Sequence, residues 1–147
     1  MKTLDKTNED QIRDLTQQWL KAVHARDAAA VMACYADDVI AYDLFTPTKV
    51  SGAAAYRKNY ETWFACCQNG PPGYEIKELD VVAGEEVAFC RSLNRMTGPN
   101  PDGKVEEIWL RVTVCFQKRG GEWKVVHEHV SVPLDMESQK GVFQFRG

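Results

Sequence analysis

The sequence has no long apolar segment and no cluster of positive charge. No uninterrupted apolar run approaches the roughly 20 residues of a membrane-spanning helix, and the formal net charge is −3 without any basic run. We therefore expect neither a membrane nor nucleic acid as a partner. The first twenty residues include Asp5, Glu9, Asp10 and Asp14 and lack a continuous apolar core, so we expect no signal peptide.

Metal-binding and cofactor-binding patterns are also missing. The five cysteines show no zinc-type spacing, and the adjacent Cys66 and Cys67 cannot chelate a metal as a C-x-x-C pair does. His127 and His129 stand two residues apart, but the sequence suggests no third ligand to accompany them. No nucleophile-elbow, phosphate-loop or dinucleotide-binding motif is present. We predict a cytoplasmic protein with reduced cysteines, no metal site and no cofactor.

The first half of the chain has the periodicity of helices. Apolar residues recur at i, i+3 and i+4 spacing over residues 8–25, which predicts an amphipathic helix. A short second helix is predicted over residues 28–34 and a third over residues 52–67. The apolar stripe of the third helix includes Tyr56, Tyr60 and Trp63, and the Gly- and Pro-rich residues 69–73 end it.

From residue 74 the apolar period becomes two-fold, which predicts strands over residues 74–83, 86–96, 104–118 and 123–133. The last two form a long hairpin, since residues 119–122 contain two glycines. Shorter strands are predicted over residues 39–45 and 50–52. This order indicates an α+β fold with three helices on one face of a strongly curved antiparallel sheet. We expect one domain over residues 1–147, with a core over about residues 8–133 and a tail, residues 134–147, that is either an extra arm or a loosely ordered end.

Charged residues interrupt three of the apolar strand faces. Alternation along the strands places Asp43, Arg91 and Glu128 on faces that are otherwise apolar. Because burying an unpaired ionised group is costly, we hypothesise that the three side chains converge on an internal cavity. Burial would raise the pKa of a carboxyl there, and Arg91 would lower that of its partner. Two alternatives stay open: Asp43 could cap a turn, and Arg91 could form a plain ion pair with Glu128 in a filled core.

The opposite face of the sheet also carries apolar and aromatic residues. The same alternation places Tyr42, Trp109 and Val125 there, together with His127 and His129. An apolar sheet face that helices do not cover is typical of a subunit interface. We therefore predict a homodimer that forms through the back of the sheet.

Several motifs match a known family. They are Tyr35-Ala36-Asp37-Asp38, the strand over residues 39–43 followed by Gly52, Trp123, His127-Glu128-His129, and Ser131-Val132-Pro133. Together with the element order, they make the chain resemble the nuclear transport factor 2-like superfamily, and within it the SnoaL-like group, over about residues 11–133. The resemblance implies a cone of curved sheet wrapped on a long helix, usually dimeric, with a pocket inside the cone. Members include ketosteroid isomerases, polyketide cyclases, dehydratases and the association domain of calmodulin-dependent kinase II.

That association domain offers a partial comparison of pocket residues. The resemblance places Asp43 and Arg91 at pocket positions, and it places Val114 and Val130 where the association domain has two further pocket arginines. It therefore implies that both valines face the pocket and that a preference for polyanions is lost. The tyrosine-plus-acid pair of ketosteroid isomerases has no clear counterpart, so steroid isomerisation is not expected.

These inferences predict a protein that binds a small, largely apolar organic molecule. As an enzyme it would perform cofactor-free acid–base chemistry of the isomerase, cyclase or dehydratase type, with Asp43 as the base, Glu128 as its protonated partner and Arg91 stabilising negative charge. The predicted pocket lining comprises Tyr35, Tyr60, Trp63, Phe89, Val114 and Val130. The alternative is a non-catalytic ligand-binding or oligomerisation module.

Overall fold

The computed structural model describes residues 6–67, 73–99 and 102–145. Its elements follow the predicted order of helices first and long strands afterwards, which confirms the α+β class. The helices are α1 (Asn8–His24), α2 (Ala28–Met32) and α3 (Ala53–Cys66). The strands are β1 (Tyr35–Tyr42), β2 (Val50–Ser51), β3 (Gly73–Ala83), β4 (Val87–Pro99), β5 (Val105–Arg119), β6 (Glu122–Ser131), β7 (Leu134–Asp135) and β8 (Lys140–Gly141). None of the helices in the described ranges has the length and apolarity needed to cross a membrane.

Local sequence explains where α1 and α3 begin. A capping box starts α1, in which the Thr7 side chain accepts from the Asp10 backbone N–H and the Asp10 side chain accepts from that of Thr7. Gly52 precedes α3 with φ of 91°, a conformation that favours glycine. Along α3, Tyr56 and Tyr60 are four residues apart and are both buried, so they point to the same side of the helix.

Six strands form one sheet in the order β2-β1-β6-β5-β4-β3. Four of its five neighbouring pairs are antiparallel, and β1 lies parallel to β6. The parallel pair was not expected from the sequence, because its two strands are separated by most of the chain. This pair places the first long strand, β1, beside the last long strand, β6. It therefore holds the helices against one face of the sheet.

A bulge in β6 changes which residues face the interior. Cys115 is opposite His127 while Phe116 is opposite Val125, so Val126 has no partner on β5. The extra residue reverses the alternation, and Val125 is buried in the core rather than exposed on the back of the sheet. The predicted position of Val125 is therefore wrong, whereas Glu128, beyond the bulge, does face inward.

The prediction of which β4 residues face the interior is wrong, because the alternation is shifted by one residue. Ala88, Cys90 and Asn94 are buried on the inner face, which leaves Phe89 and Arg91 on the outer face. Phe89 is 41% exposed. Arg91 has a side-chain exposure of 67% and its guanidinium Nη2 lies 2.8 Å from Asp80 Oδ2. Both faces of β4 carry apolar residues, so alternation alone could not identify the face that packs on the helices.

Residues 134–145 of the tail form an ordered arm, one of the two alternatives that the sequence left open. β7 and β8 make a small hairpin, and the Trp109 backbone N–H donates to the Phe143 carbonyl over 2.7 Å. The Trp109 and Phe145 rings pack with centroids 5.1 Å apart. Because β6 pairs with β5 only as far as the Arg111–Ser131 pair, the arm covers part of the strand edge that β6 leaves open.

Candidate functional site

Glu128 is the buried carboxylate of the site, with only 6% of the residue exposed. Tyr35, the first residue of β1, donates from its hydroxyl to Glu128 Oε1 over 2.7 Å. Tyr56 of α3 donates to Glu128 Oε2. Hydrogen bonds to an ionised acceptor are stronger than neutral ones. The two tyrosines therefore hold the carboxylate from two different elements of the fold.

A chain of hydrogen bonds leads further from Glu128. The hydroxyls of Tyr35 and Tyr60 lie 2.7 Å apart, and the Trp19 indole Nε1 donates to the Tyr60 hydroxyl over 3.1 Å. An indole N–H can only donate, so the hydrogen of Tyr60 is free to point at Tyr35 and that of Tyr35 at Glu128. We call these five residues the glutamate cluster: Glu128, Tyr35, Tyr56, Tyr60 and Trp19. Each of its donor hydrogens has an acceptor.

Burial raises the pKa of Glu128 to about 7, because a charged carboxylate is poorly solvated in the interior. The hydrogen bonds from Tyr56 and Tyr35 act in the opposite direction, and the nearby charge of Asp43 raises the pKa slightly further. Burial and the charge of Glu128 raise the pKa of Tyr35 and Tyr56 well above the usual value. Near neutral pH, Glu128 therefore occurs in both protonation states while the tyrosines stay protonated.

Glu128 forms part of the wall of a cavity of about 50 Å³ that is partly open to the surface. Most of the lining is apolar. The lining residues are Leu15, Thr16, Trp19, Cys34, Tyr35, Tyr74, Ile76, Leu79, Cys90, Ser92, Asn94, Val112, Val114, Phe116, Val125, Glu128 and Val130. Of the predicted lining, Tyr35, Val114 and Val130 are in this wall. Tyr60 and Trp63 lie behind it, where Tyr60 bonds to Tyr35 and the Trp63 ring packs against Tyr74.

A second polar group lies in the same wall. Ser92 Oγ donates to Asn94 Oδ1 over 2.7 Å, and Asn94 Nδ2 donates to the Tyr74 hydroxyl over 2.7 Å. Asn94 is only 3% exposed. We call Ser92, Asn94 and Tyr74 the amide cluster. None of the three was predicted as a site residue, although Ser92 and Asn94 are two residues apart and so share one face of β4.

The structure does not bring the three predicted charged residues together. Only Glu128 lines the cavity. Arg91 is on the outer face with Asp80. Asp43 follows β1 and caps the backbone at the end of this strand. Its Oδ1 accepts a hydrogen bond from the Leu44 backbone N–H over 2.8 Å, and its Oδ2 accepts one from Asn59 over 3.4 Å. Asp43 thus acts on the cavity only through its charge.

The two histidines lie on the outer face of the sheet. His127 Nδ1 is 2.7 Å from the Ile40 carbonyl oxygen. The Tyr42 ring packs edge-on against His127 and His129, with centroids 4.8 and 5.6 Å away. Across the described ranges, no three His, Cys, Asp or Glu side chains are placed to share a metal ion.

Comparison with known proteins places this architecture in a family. The model of the SnoaL-like domain family matches residues 12–135. An NTF2-like protein of unknown function from Pseudomonas putida is 36% identical, with a TM-score of 0.85 over 95% of this chain and 96% of that one. A ketosteroid isomerase-like protein from Erwinia carotovora is 25% identical, with a TM-score of 0.69 over 86% and 97% of the two chains.

The association domain of C. elegans CaMKII shares the fold at 17% identity, with a TM-score of 0.65 over 84% of this chain and 94% of that one. No curated protein is significantly similar in sequence. The family model spans most of the chain, including most of α1, the cavity wall and Glu128. The chain therefore belongs to the SnoaL-like domain family and has the NTF2-like fold.

Proposed function

We propose that the protein binds a small, largely apolar organic molecule in its cavity and that Glu128 exchanges a proton with it. One observation carries this proposal: a buried carboxyl with a pKa of about 7 forms part of the wall of a mainly apolar cavity. A general acid–base group works best when its pKa is close to the operating pH. Burial supplies that match here.

The surrounding tyrosines define the role of Glu128 further. Because Tyr35 and Tyr56 keep their protons at neutral pH, they donate to the carboxylate and fix its orientation without competing as bases. The reaction type is cofactor-free isomerisation, cyclisation or dehydration, a class that the likeness to a ketosteroid isomerase-like protein also supports. Asp43 and Arg91 take no direct part in this proposal, since both side chains are engaged elsewhere.

The size of the cavity limits the ligand. A volume of about 50 Å³ exceeds the roughly 10–15 Å³ that one water requires but is far below the roughly 300–1,000 Å³ of drug-sized ligand sites. The ligand has only a few non-hydrogen atoms, or it displaces half-buried side chains when it enters. Leu15, Trp19 and Leu79 are among the half-buried lining residues that would move.

The test is hydrogen–deuterium exchange of small enolisable ketones and lactones in deuterated buffer, followed by NMR. Wild-type protein should accelerate exchange of at least one compound, and Glu128→Gln should reduce the acceleration by about 10²–10⁴-fold, as loss of a general base does. Asp43→Asn serves as the control and should retain most of the activity. No acceleration by wild type, or equal acceleration by Glu128→Gln, would refute the catalytic role.

A second role, as an oligomerisation module, is favoured by the apolar outer face of the sheet. Val82 and Phe89 are neighbours across β3 and β4, and they are 50% and 41% exposed. Tyr42 is exposed on the same face. We propose that a second copy of the chain covers this face to form a homodimer, and that the protein acts in the cytoplasm, where its free cysteines stay reduced.

Light scattering coupled to size-exclusion chromatography tests the dimer. Wild type should elute as a dimer, and Phe89→Glu should be monomeric because the substitution buries a charge at the interface. Met136→Glu, at an exposed position between β7 and β8 and outside the six-stranded sheet, is the control and should stay dimeric. A monomeric wild type, or a dimeric Phe89→Glu, would contradict the proposed interface.

A further inference from the structure

We infer that the amide cluster is a donor subsite that binds an uncharged carbonyl oxygen of the ligand. This inference rests on the proposed function for the presence of a ligand in the cavity, and it adds the chemical class of that ligand. It is carried by the hydrogen-bonding capacity of three side chains that all line the cavity: Ser92, Asn94 and Tyr74.

The amide cluster has more donor hydrogens than it uses. Ser92 and Tyr74 each carry one hydroxyl hydrogen and Asn94 carries two amide hydrogens. The Ser92–Asn94 and Asn94–Tyr74 bonds use one hydrogen each. Within the described part of the chain, the Tyr74 hydroxyl hydrogen and the second Asn94 amide hydrogen have no acceptor.

Turning the Asn94 amide over does not change this balance. In that orientation Tyr74 would donate to Asn94 Oδ1, and Asn94 Nδ2 would donate to Ser92 Oγ. Two hydrogen bonds would again use two of the four hydrogens, which leaves one hydroxyl and one amide hydrogen over. The surplus is therefore independent of how the amide is assigned.

Burial makes the surplus significant. Asn94 is 3% exposed and Tyr74 is 7% exposed, so bulk water does not reach these groups freely. Buried donors in native proteins are nearly always paired. Since both residues line the cavity, a molecule in the cavity can accept these hydrogens: water when no ligand is bound, and the ligand when it is.

The charge of the cavity decides which kind of acceptor fits. Among the residues that the structure describes, the lining contains no Lys, Arg or His, and it includes the Glu128 carboxyl. A carboxylate or phosphate would enter without a countercharge and would be repelled by ionised Glu128. A neutral carbonyl oxygen accepts two hydrogen bonds without that penalty, and the apolar remainder of a ketone or aldehyde suits the valine- and leucine-rich wall.

The two polar clusters occupy different parts of the wall. Glu128 is opposite Val114, which is opposite Cys90 on β4, whereas Asn94 lies further along β4 opposite Leu110. A ligand held by its carbonyl oxygen at the amide cluster has its apolar part against this wall, and a ligand that also reaches Glu128 is one that displaces half-buried side chains when it enters. This arrangement lets one group anchor the ligand and the other exchange a proton.

The experiment compares three probes of similar shape: acetone, acetate and 2-methylpropene. Binding to ¹⁵N-labelled protein is followed by NMR, together with the ¹³C shift of labelled acetone. Acetone should bind at least about fivefold more tightly than 2-methylpropene, because one net hydrogen bond increases affinity by roughly that factor. Acetate should bind more weakly than acetone. Bound acetone should show a downfield carbonyl shift, and the Asn94 side-chain NH₂ signals should move with it.

Variants then locate the subsite. Tyr74→Phe and Asn94→Leu should each weaken acetone binding about fivefold and leave 2-methylpropene binding unchanged. Tyr42→Phe, on the outer face, is the matched control and should bind like wild type. If Tyr74→Phe does not fold, the Asn94 NH₂ shift in wild type provides the same test.

The outcomes separate this inference from the proposed function. Equal binding of acetone and 2-methylpropene, or preferred binding of acetate, overturns the carbonyl subsite but leaves a ligand-binding cavity. Binding of none of the three probes overturns the inference and removes support for the cavity as a site for small molecules.

Discussion

The glutamate cluster and the amide cluster lie in one cavity wall but differ in how completely they are hydrogen-bonded. In the glutamate cluster, the hydroxyls of Tyr35 and Tyr56 and the indole of Trp19 all have acceptors. In the amide cluster, two donor hydrogens are left over. The first cluster is complete without a ligand and sets the acidity of one carboxyl. The second is complete only when something occupies the cavity.

The largest expected difference between the two clusters is the pH dependence that Glu128 gives to the free energy of unfolding. Its pKa is raised from 4.5 to about 7 in the folded protein, so the folded state binds a proton that the unfolded state releases between these values. Glu128 therefore stabilises the fold least when it is ionised, and its contribution falls by about 3 kcal/mol as pH rises from 4.5 to 7. Above pH 7 the loss is complete.

Urea unfolding of wild type and Glu128→Gln across this pH range measures that contribution. The difference in unfolding free energy between the two proteins should change by about 3 kcal/mol in favour of wild type at the acidic end. Other carboxyls titrate alike in both proteins and cancel in the difference. Parallel pH profiles would show that Glu128 is not shifted.

Breaking the glutamate cluster at Tyr35 should have the next largest effect. Tyr35→Phe removes a donor to Glu128 and the acceptor of the Tyr60 hydroxyl. We expect a loss of about 1–3 kcal/mol at pH 8, where Glu128 is ionised, and a further rise in the pKa of Glu128. Unfolding curves and ¹³C NMR of the carboxyl measure the two effects, with Tyr42→Phe as the control. An unchanged pKa would mean that the Tyr35 bond does not stabilise the carboxylate.

Trp19 is the donor at the far end of the hydrogen-bonded series that leads from Glu128, and removing it should have a smaller effect. Trp19→Phe keeps an aromatic ring but lets the Tyr60 hydroxyl reverse, so Tyr35 can accept a hydrogen from neutral Glu128. The pKa of Glu128 should rise, by less than in Tyr35→Phe. Trp63→Phe is the control, because Trp63 packs on Tyr60 at 6.2 Å. If Trp19 only packs against its neighbours, the pKa of Glu128 should be the same in Trp19→Phe and Trp63→Phe.

The smallest stability change is expected in the amide cluster. Asn94→Leu removes a buried amide that is only partly hydrogen-bonded, and leucine has a similar size. We expect a cost of about 1–2 kcal/mol, because the Ser92 and Tyr74 hydroxyls lose their hydrogen-bond partner, while the leucine adds apolar contacts in the cavity wall that offset part of the loss. Urea unfolding beside Tyr35→Phe tests the contrast. A larger loss than in Tyr35→Phe would show that the amide cluster is a structural element.

The sequence by itself determined the order of the elements and the unusual position of Glu128. Helical and two-fold periods separate clearly at the Gly- and Pro-rich residues 69–73, of which residues 69–72 lie outside the described part of the chain. On β5, alternate residues from Ile108 to Phe116 form an unbroken apolar stripe, and Val114 of this stripe packs against the core. A carboxyl close to Val130 on the last strand departs from that pattern, and the departure is visible in the sequence itself.

Only the tertiary structure decided what surrounds Glu128. Alternation defines two faces of a strand but not which one is covered, and β4 has apolar residues on both, so Arg91 was placed on the wrong side. The β6 bulge reverses the alternation at one residue, which a regular two-fold pattern cannot represent. Tyr35 and Tyr56 reach Glu128 from positions 93 and 72 residues away in sequence. Such distant contacts follow from how the helices and the parallel β1–β6 pair pack, because hydrogen bonds between side chains depend on their positions in space and not on any local pattern.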